Sequence, residues 1–103
     1  MKGEKLINSS QVLGTVDLKD PQLVSMQIHK KNGNLVGILY VEFSNDGVNF
    51  IRNPDADTAF VALDTDVMLE IVDTCAAVAR FGIDVTSGSS DVQYNAFTKG
   101  DEE

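Results

Sequence analysis

A chain of 103 residues with a net charge of −8 is one domain, long enough to bury a core without covalent staples. Its single cysteine, Cys75, excludes an internal disulfide, and neither Cys75 nor the single histidine, His29, belongs to a set with zinc spacing. Residues 1–31 carry five basic and three acidic side chains while residues 32–103 carry three basic and thirteen acidic, and so acidic a body excludes binding that rests on Lys and Arg neutralising phosphates.

Residues 1–10, MKGEKLINSS, are polar apart from Leu6 and Ile7. They are expected to form a flexible arm that gains order only at an interface. The segment lacks the apolar core of a secretory signal, and no apolar run in the chain approaches a membrane span. The expectation is a protein made in a reducing cytoplasm. Lys2 and Lys5 of the arm, with Lys19, Lys30 and Lys31, have the charge to meet an acidic partner; scattered solubilising lysines are the plainer reading. Lys2, Lys5, Leu6 and Ile7 are the arm's candidates for partner contact.

The remainder, 11–100, reads as one β domain. Residues 12–18 alternate, with Val12, Gly14, Val16 and Leu18 on one side, and Asp20-Pro21 ends the run. In 23–29, Val24, Met26 and Ile28 face inward and Ser25, Gln27 and His29 outward. Asn32-Gly33 is the strongest short hairpin signal, and it predicts a type I′ turn folding this strand onto 35–43. That central strand sets Leu35, Gly37, Leu39, Val41 and Phe43 on one face and Tyr40 and Glu42 on the other. Asp46-Gly47 marks a second turn, 48–51 a short strand, 52–58 a loop and 60–63 an edge segment.

Residues 67–73 place Val67, Leu69 and Ile71 inward and Glu70 outward, which leaves Met68 and Val72 on the exposed side, to lie under a loop or at a subunit contact. Residues 78–86 put Ala79, Phe81, Ile83 and Val85 inward, Arg80 and Asp84 outward. Ser87-Gly88-Ser89-Ser90 predicts a hairpin loop, after which 91–99 returns with Val92, Tyr94 and Ala96 on the core face. Residues 101–103 are an acidic tail. No window has helical spacing over a helical length, although 61–79 is helix-capable in composition. Seven or eight short strands joined by Gly, Asn, Asp and Ser turns imply an all-β chain, a single antiparallel β-sandwich wired as a jelly roll or like an immunoglobulin domain.

Reaction chemistry has little to stand on. His29 has no second histidine and faces outward, Cys75 sits among alanines, and Ser87, Ser89 and Ser90 suit a turn. No catalytic residue and no cofactor are expected. Asp55 and Asp57 in NPDAD, and Asp64 and Asp66 in LDTD, are weak candidates for a hard cation such as calcium. Thr58 replaces the glycine such a loop needs, and no bidentate Glu follows. Solvated acidic loops are the expectation.

Two segments carry a resemblance: a Gly-x-Leu strand running into Ser-Asn-Asp-Gly-x-Asn-aromatic, here Gly37 to Phe50, and VARFGIDVTSGSSDVQYNAFTKG from Val78 to Gly100. With them the chain, over residues 12–100, resembles small β-sandwich proteins encoded among bacteriophage virion genes. Phe50 stands where that pattern usually has Trp, and Phe81 where a β-branched residue often follows the Arg. The resemblance implies a structural role in the virion, as an accessory protein decorating or cementing the capsid by contact with the major capsid protein, other virion proteins or copies of itself, without nucleic acid or membrane. The alternative is a carbohydrate-binding module on a tail or spike, since SNDG before an aromatic also occurs in carbohydrate-binding sandwiches. Such a module needs an exposed aromatic platform, for which strand parity offers Tyr40.

Overall fold

A computed structural model describes residues 1–18, 22–74 and 76–100, with the side chains of 22, 71–74 and 100 outside that description. The strands are β1 (Lys2–Ile7), β2 (Gln11–Asp17), β3 (Gln22–Lys30), β4 (Val36–Ser44), β5 (Ile51–Arg52), β6 (Thr58–Phe60), β7 (Asp66–Thr74), β8 (Val78–Ser87) and β9 (Ser90–Gly100), with one 3₁₀ turn at Pro54–Ala56. The break at Asp20-Pro21, Lys19, Cys75 and the tail 101–103 lie outside the described residues.

The pairing is nested. First strand pairs with last, β1 with β9, then β2 with β8, β3 with β7, and β4 with β5 and β6, all antiparallel. These are the pairs of one long ribbon doubled back at residues 45–50. Rolling the ribbon sets β3 beside β9 and β4 beside β8. The result is two sheets, β1-β9-β3-β7 and β2-β8-β4-β5, with β6 also on β4. Of the two wirings open from the sequence, this is the jelly roll.

Strand parity follows the alternation. Val24, Met26 and Ile28 of β3, Leu39 and Val41 of β4, Val67 and Leu69 of β7, Ala79, Phe81 and Ile83 of β8, and Val92 and Ala96 of β9 are buried between the sheets. Phe43, Val85 and Tyr94 pack partly buried against them. Phe60, expected on an edge segment, is fully inside at the end of β6.

Strand partners differ from expectation in several places. The Asn32-Gly33 and 87–90 turns close no hairpin; each carries the chain from one sheet to the other, since β3 and β9 lie in the first sheet and β4 and β8 in the second. Only Gly33 of the Asn-Gly pair has positive φ, at 88°, whereas type I′ needs two such residues. The two crossovers instead run side by side and bond each other. Asn34 N–H donates to Ser89 O at 3.0 Å, Lys31 N–H to Asp91 O at 2.8 Å, and the Asn32 side chain both donates to Asp91 Oδ2 and accepts from Asp91 N–H. Gly33 and Gly88 are required there, because a Cβ on Gly33 would stand 2.0 Å from Ser89 O and one on Gly88 2.2 Å from Asn34 O.

The expected arm is a strand. Residues 2–7 pair with β9 along their whole length, and Ile7 is wholly buried. The alternation of Gly3, Lys5 and Ile7 against Lys2, Glu4 and Leu6 is an edge-strand pattern too short of apolar residues to read as one. In β2 a bulge between Val12 and Gly14 inserts Leu13 into the core and turns Val12 to solvent, which breaks the single-face reading of 12–18. The short strand expected at 48–51 is only Ile51–Arg52, and 61–79 is occupied largely by β7 and the start of β8.

Two outcomes test this packing. Phe81→Ala should lower stability by about 3 to 5 kcal/mol, and Phe43→Ala, at a partly buried position, by less; denaturant titration giving the reverse order contradicts the assigned core. Gly33→Ala should lose about 1 to 3 kcal/mol through its positive φ and the clash at Ser89, whereas a hairpin-independent turn free of Ser89 would melt unchanged.

Candidate binding surfaces

Four regions are built by this wiring, and the first is the tip of the ribbon. Ser44-Asn45-Asp46-Gly47 turns the chain from β4 to β5, and Asp46 holds the turn together. Its Oδ1 accepts from Val48 N–H and Asn49 N–H, each at 2.8 Å, and from the Ser44 hydroxyl; its Oδ2 accepts from the Asn49 amide. The backbone donors of Asn49 and Val48 hold its carboxyl far below the usual carboxylate range. Ser44 Oγ accepts from Asp46 and Gly47 N–H. The loop is thus rigid while Val48 and Ile51 beside it stand 78% and 76% exposed. A cavity of about 630 Å³ lies there, lined by residues including Phe43, Asn45, Asn49 and Asn53.

The second region, the outer face of β4 and β8, is closed. Tyr40 points outward as parity requires, and its ring lies over Gly82, where a Cβ would collide with the ring. The Arg52 guanidinium stacks on Tyr40 at 4.3 Å from its centroid while bonding both carboxylate oxygens of Asp57 and Asp84 Oδ2. Arg80 bonds Glu42 at 2.8 Å and stacks on Phe50 at 3.9 Å. Those two carboxylates hold the Arg52 pKa above its usual value, and burial chiefly raises that of Tyr40. Tyr40 is 9% exposed. It is therefore no platform for a sugar ring, and that part of the sequence reading is corrected.

In the third region Lys30, grouped with the partner-facing lysines by sequence, is 4% exposed. Its ammonium donates to Leu35 O at 2.9 Å, Val61 O at 2.8 Å and Ala62 O at 3.5 Å, above the ring of Phe60. Burial lowers its pKa and the charge of Asp64 opposes the shift. This lysine pins the β6–β7 loop to the β3–β4 crossover, a role that nothing in its local sequence signals.

The fourth region is an open groove of about 730 Å³ on the outer face of the β1-β9-β3-β7 sheet. Cross-strand register places Glu4, Gln93, His29 and Asp66 in one row across all four strands, and Lys2, Asn95, Gln27 and Met68 in the next. His29 Nδ1 and Asp66 Oδ1 are 2.7 Å apart, and Lys31 Nζ donates to Glu4 Oε2 at 2.8 Å. The bond from Lys31 and then its charge lower the Glu4 pKa.

The remaining candidates scatter. Asp57 serves Arg52, Asp66 serves His29, Asp64 accepts from Val61 N–H, and Asp55 sits in the 3₁₀ turn with its N–H on Asn53 Oδ1. These four aspartates do not converge, and among the described residues no group of three or more His, Cys, Asp or Glu is placed to hold a metal. Lys2, Leu6 and Met68 share the outer face of the first sheet, whereas Lys5 lies on the other side of β1 and Ile7 is in the core. Val72 pairs with Val24, but its side chain is outside the described residues. Phe97, 62% exposed on that same outer face, was missed. The alternation of 91–99 carries the signal, since Val92, Tyr94 and Ala96 inside leave Phe97 outside.

No family model matches the chain, and no curated protein matches it.

The depressed Asp46 pKa has a definite sign. A carboxyl whose folded pKa lies below its unfolded value contributes stability that is present above the unfolded value and lost as pH falls through the folded one. Asp46→Ala should therefore lower the melting temperature at neutral pH, with the difference from wild type shrinking in strong acid. A difference independent of pH would show that the carboxylate charge has no part in holding the loop.

Proposed function

We propose that this chain is a structural protein of a bacteriophage virion, an accessory that decorates or cements the capsid through protein contacts with the major capsid protein, with other virion proteins or with its own copies. The reading is supported by the resemblance of residues 37–50 and 78–100 to virion proteins, and by a jelly-roll wiring, an architecture used in viral shells and in lectin domains. The observation that carries it is the rigid tip: two large aliphatic side chains, Val48 and Ile51, held in solvent on a loop locked by Asp46. Apolar anchors that are already ordered lose little entropy on docking and make effective centres of a contact. About 800 Å² per partner is an ordinary contact of this type.

Attachment through such anchors depends on burial of apolar surface and should persist at high salt. Co-sedimentation with phage particles lacking this protein checks the assignment. Wild type should pellet with the particles, and Val48→Asp and Ile51→Asp should each weaken attachment by at least about tenfold while melting like wild type. Absence of wild-type binding would remove the virion assignment. Undiminished binding by both variants would remove the tip from the contact.

A further inference from the structure

We infer that the outer face of the β1-β9-β3-β7 sheet binds a neutral oligosaccharide, with Phe97 as the stacking platform and Gln27, Asn95 and Gln93 as the groups that read its hydroxyls. This site is independent of the virion assignment and lies on the opposite sheet from the Tyr40 position.

The argument begins with which polar groups are satisfied. Glu4 is bonded by Lys31, and Asp66 by His29. The side-chain amides of Gln27 and Asn95, paired across β3 and β9 in the middle of the groove, have no hydrogen-bond partner among the described residues. Each offers a carbonyl acceptor and an NH₂ donor, the combination that a hydroxyl, itself donor and acceptor, can use twice. Gln93, Asn95 and Phe97 follow at alternate positions of β9, about 7 Å apart on one face. An apolar ring therefore continues the line of amides directly.

Three features select the occupant. The four-strand row from Glu4 to Asp66 spans about 14 Å at strand spacing, room for a short chain of sugar rings. A groove of about 730 Å³ is within the range of ligand sites. The acids Glu4 and Asp66 are balanced by Lys31 and Lys2, so the groove has little net charge to attract an ionic ligand, and the chain's charge of −8 repels acidic polymers. A protein partner fits less well. Protein contacts have an apolar centre and a polar rim, whereas here the cross-strand register sets Gln27, His29, Gln93 and Asn95 at the centre, with Leu6, Met68 and Phe97 around them, outside the lining of the groove itself. A pyranose presents an apolar C–H face to an aromatic ring and equatorial hydroxyls at its edge, which matches Phe97 beside Asn95.

The test is an amide-resolved NMR titration of the isolated chain with cellohexaose, maltohexaose and N-acetylchitohexaose. The expected result is saturable shifts with at least one hexamer, centred on Gln27, Gln93 and Asn95. Phe97→Ala and Gln27→Ala, both at exposed positions, should each weaken that binding by at least about tenfold. Leu63→Ala, 92% exposed outside the groove, should leave it unchanged. Absence of saturable shifts with all three sugars overturns the inference, as does binding centred on residues 44–53 or binding undiminished in Phe97→Ala. Failure here would leave particle attachment through Val48 and Ile51 untouched, because that assay reads a different surface.

Discussion

The register of one long antiparallel ribbon governs the rest of this molecule. Once residues 45–50 fold β4 back on β5 and β6, every later strand meets an earlier one in reverse order, until β9 lies against β1. A strand slipped by one residue would exchange its core face for its solvent face. Register is therefore fixed wherever apolar alternation is strong, as in Val24, Met26 and Ile28 against Ala96 and Tyr94. Asp46 stands at the fold of the ribbon, and four hydrogen bonds to its carboxylate hold the reversal.

The two outer faces treat water differently. On the β4–β8 face, Arg52 and Arg80 each stack on an aromatic ring and bond carboxylates, so cation, ring and acid satisfy one another. Such a network has few open valences left for a ligand. On the β1-β9-β3-β7 face the paired groups sit towards one side, Lys31 with Glu4 and His29 hydrogen-bonded with Asp66, while the amides of Gln27 and Asn95 stay open. The acids are similarly abundant on both faces; the difference is that the arginines lie on only one.

Which side of each strand faces the core was legible because alternation is a local property: parity held in β3, β4, β7, β8 and β9. Which strand pairs with which was not, because a turn signal specifies positive φ and not the destination of the chain. Asn32-Gly33 and Ser87-Gly88 do supply positive-φ glycines, yet they use them to bring two crossovers within bonding distance. β1 escaped notice because it contributes one fully buried side chain and gains its place from β9's backbone. Bulges are equally hidden, and Leu13 entered the core at the expense of the expected Val12. Lys30 reads as surface charge in the sequence, since composition gives no sign of three carbonyls converging on one ammonium. At the candidate sites, Met68 and Leu6 were legible as exposed, whereas the groove was not, for it exists only when β1 and β7 flank β9 and β3.

The sheet edges bear on how such a molecule meets its neighbours. Open edges invite strand addition, and natural sheets blunt them with bulges, charges or short strands. Here β2 carries a bulge at Leu13, and the edge beyond β4 is split between a strand of two residues and one of three. β1 presents Lys2 and Glu4, with Lys31 bonded to Glu4 across the face. Those three edges are poor templates for another backbone, which leaves the fourth edge, the nine-residue β7, and side chains as the means of recognition. The sandwich presents them in two chemically different places: aliphatic at the tip, where Val48 and Ile51 stand clear of a fixed loop, and amide with aromatic on the face of the first sheet. The two lie on different sheets, so a molecule held by its tip would still offer its amide face to solvent.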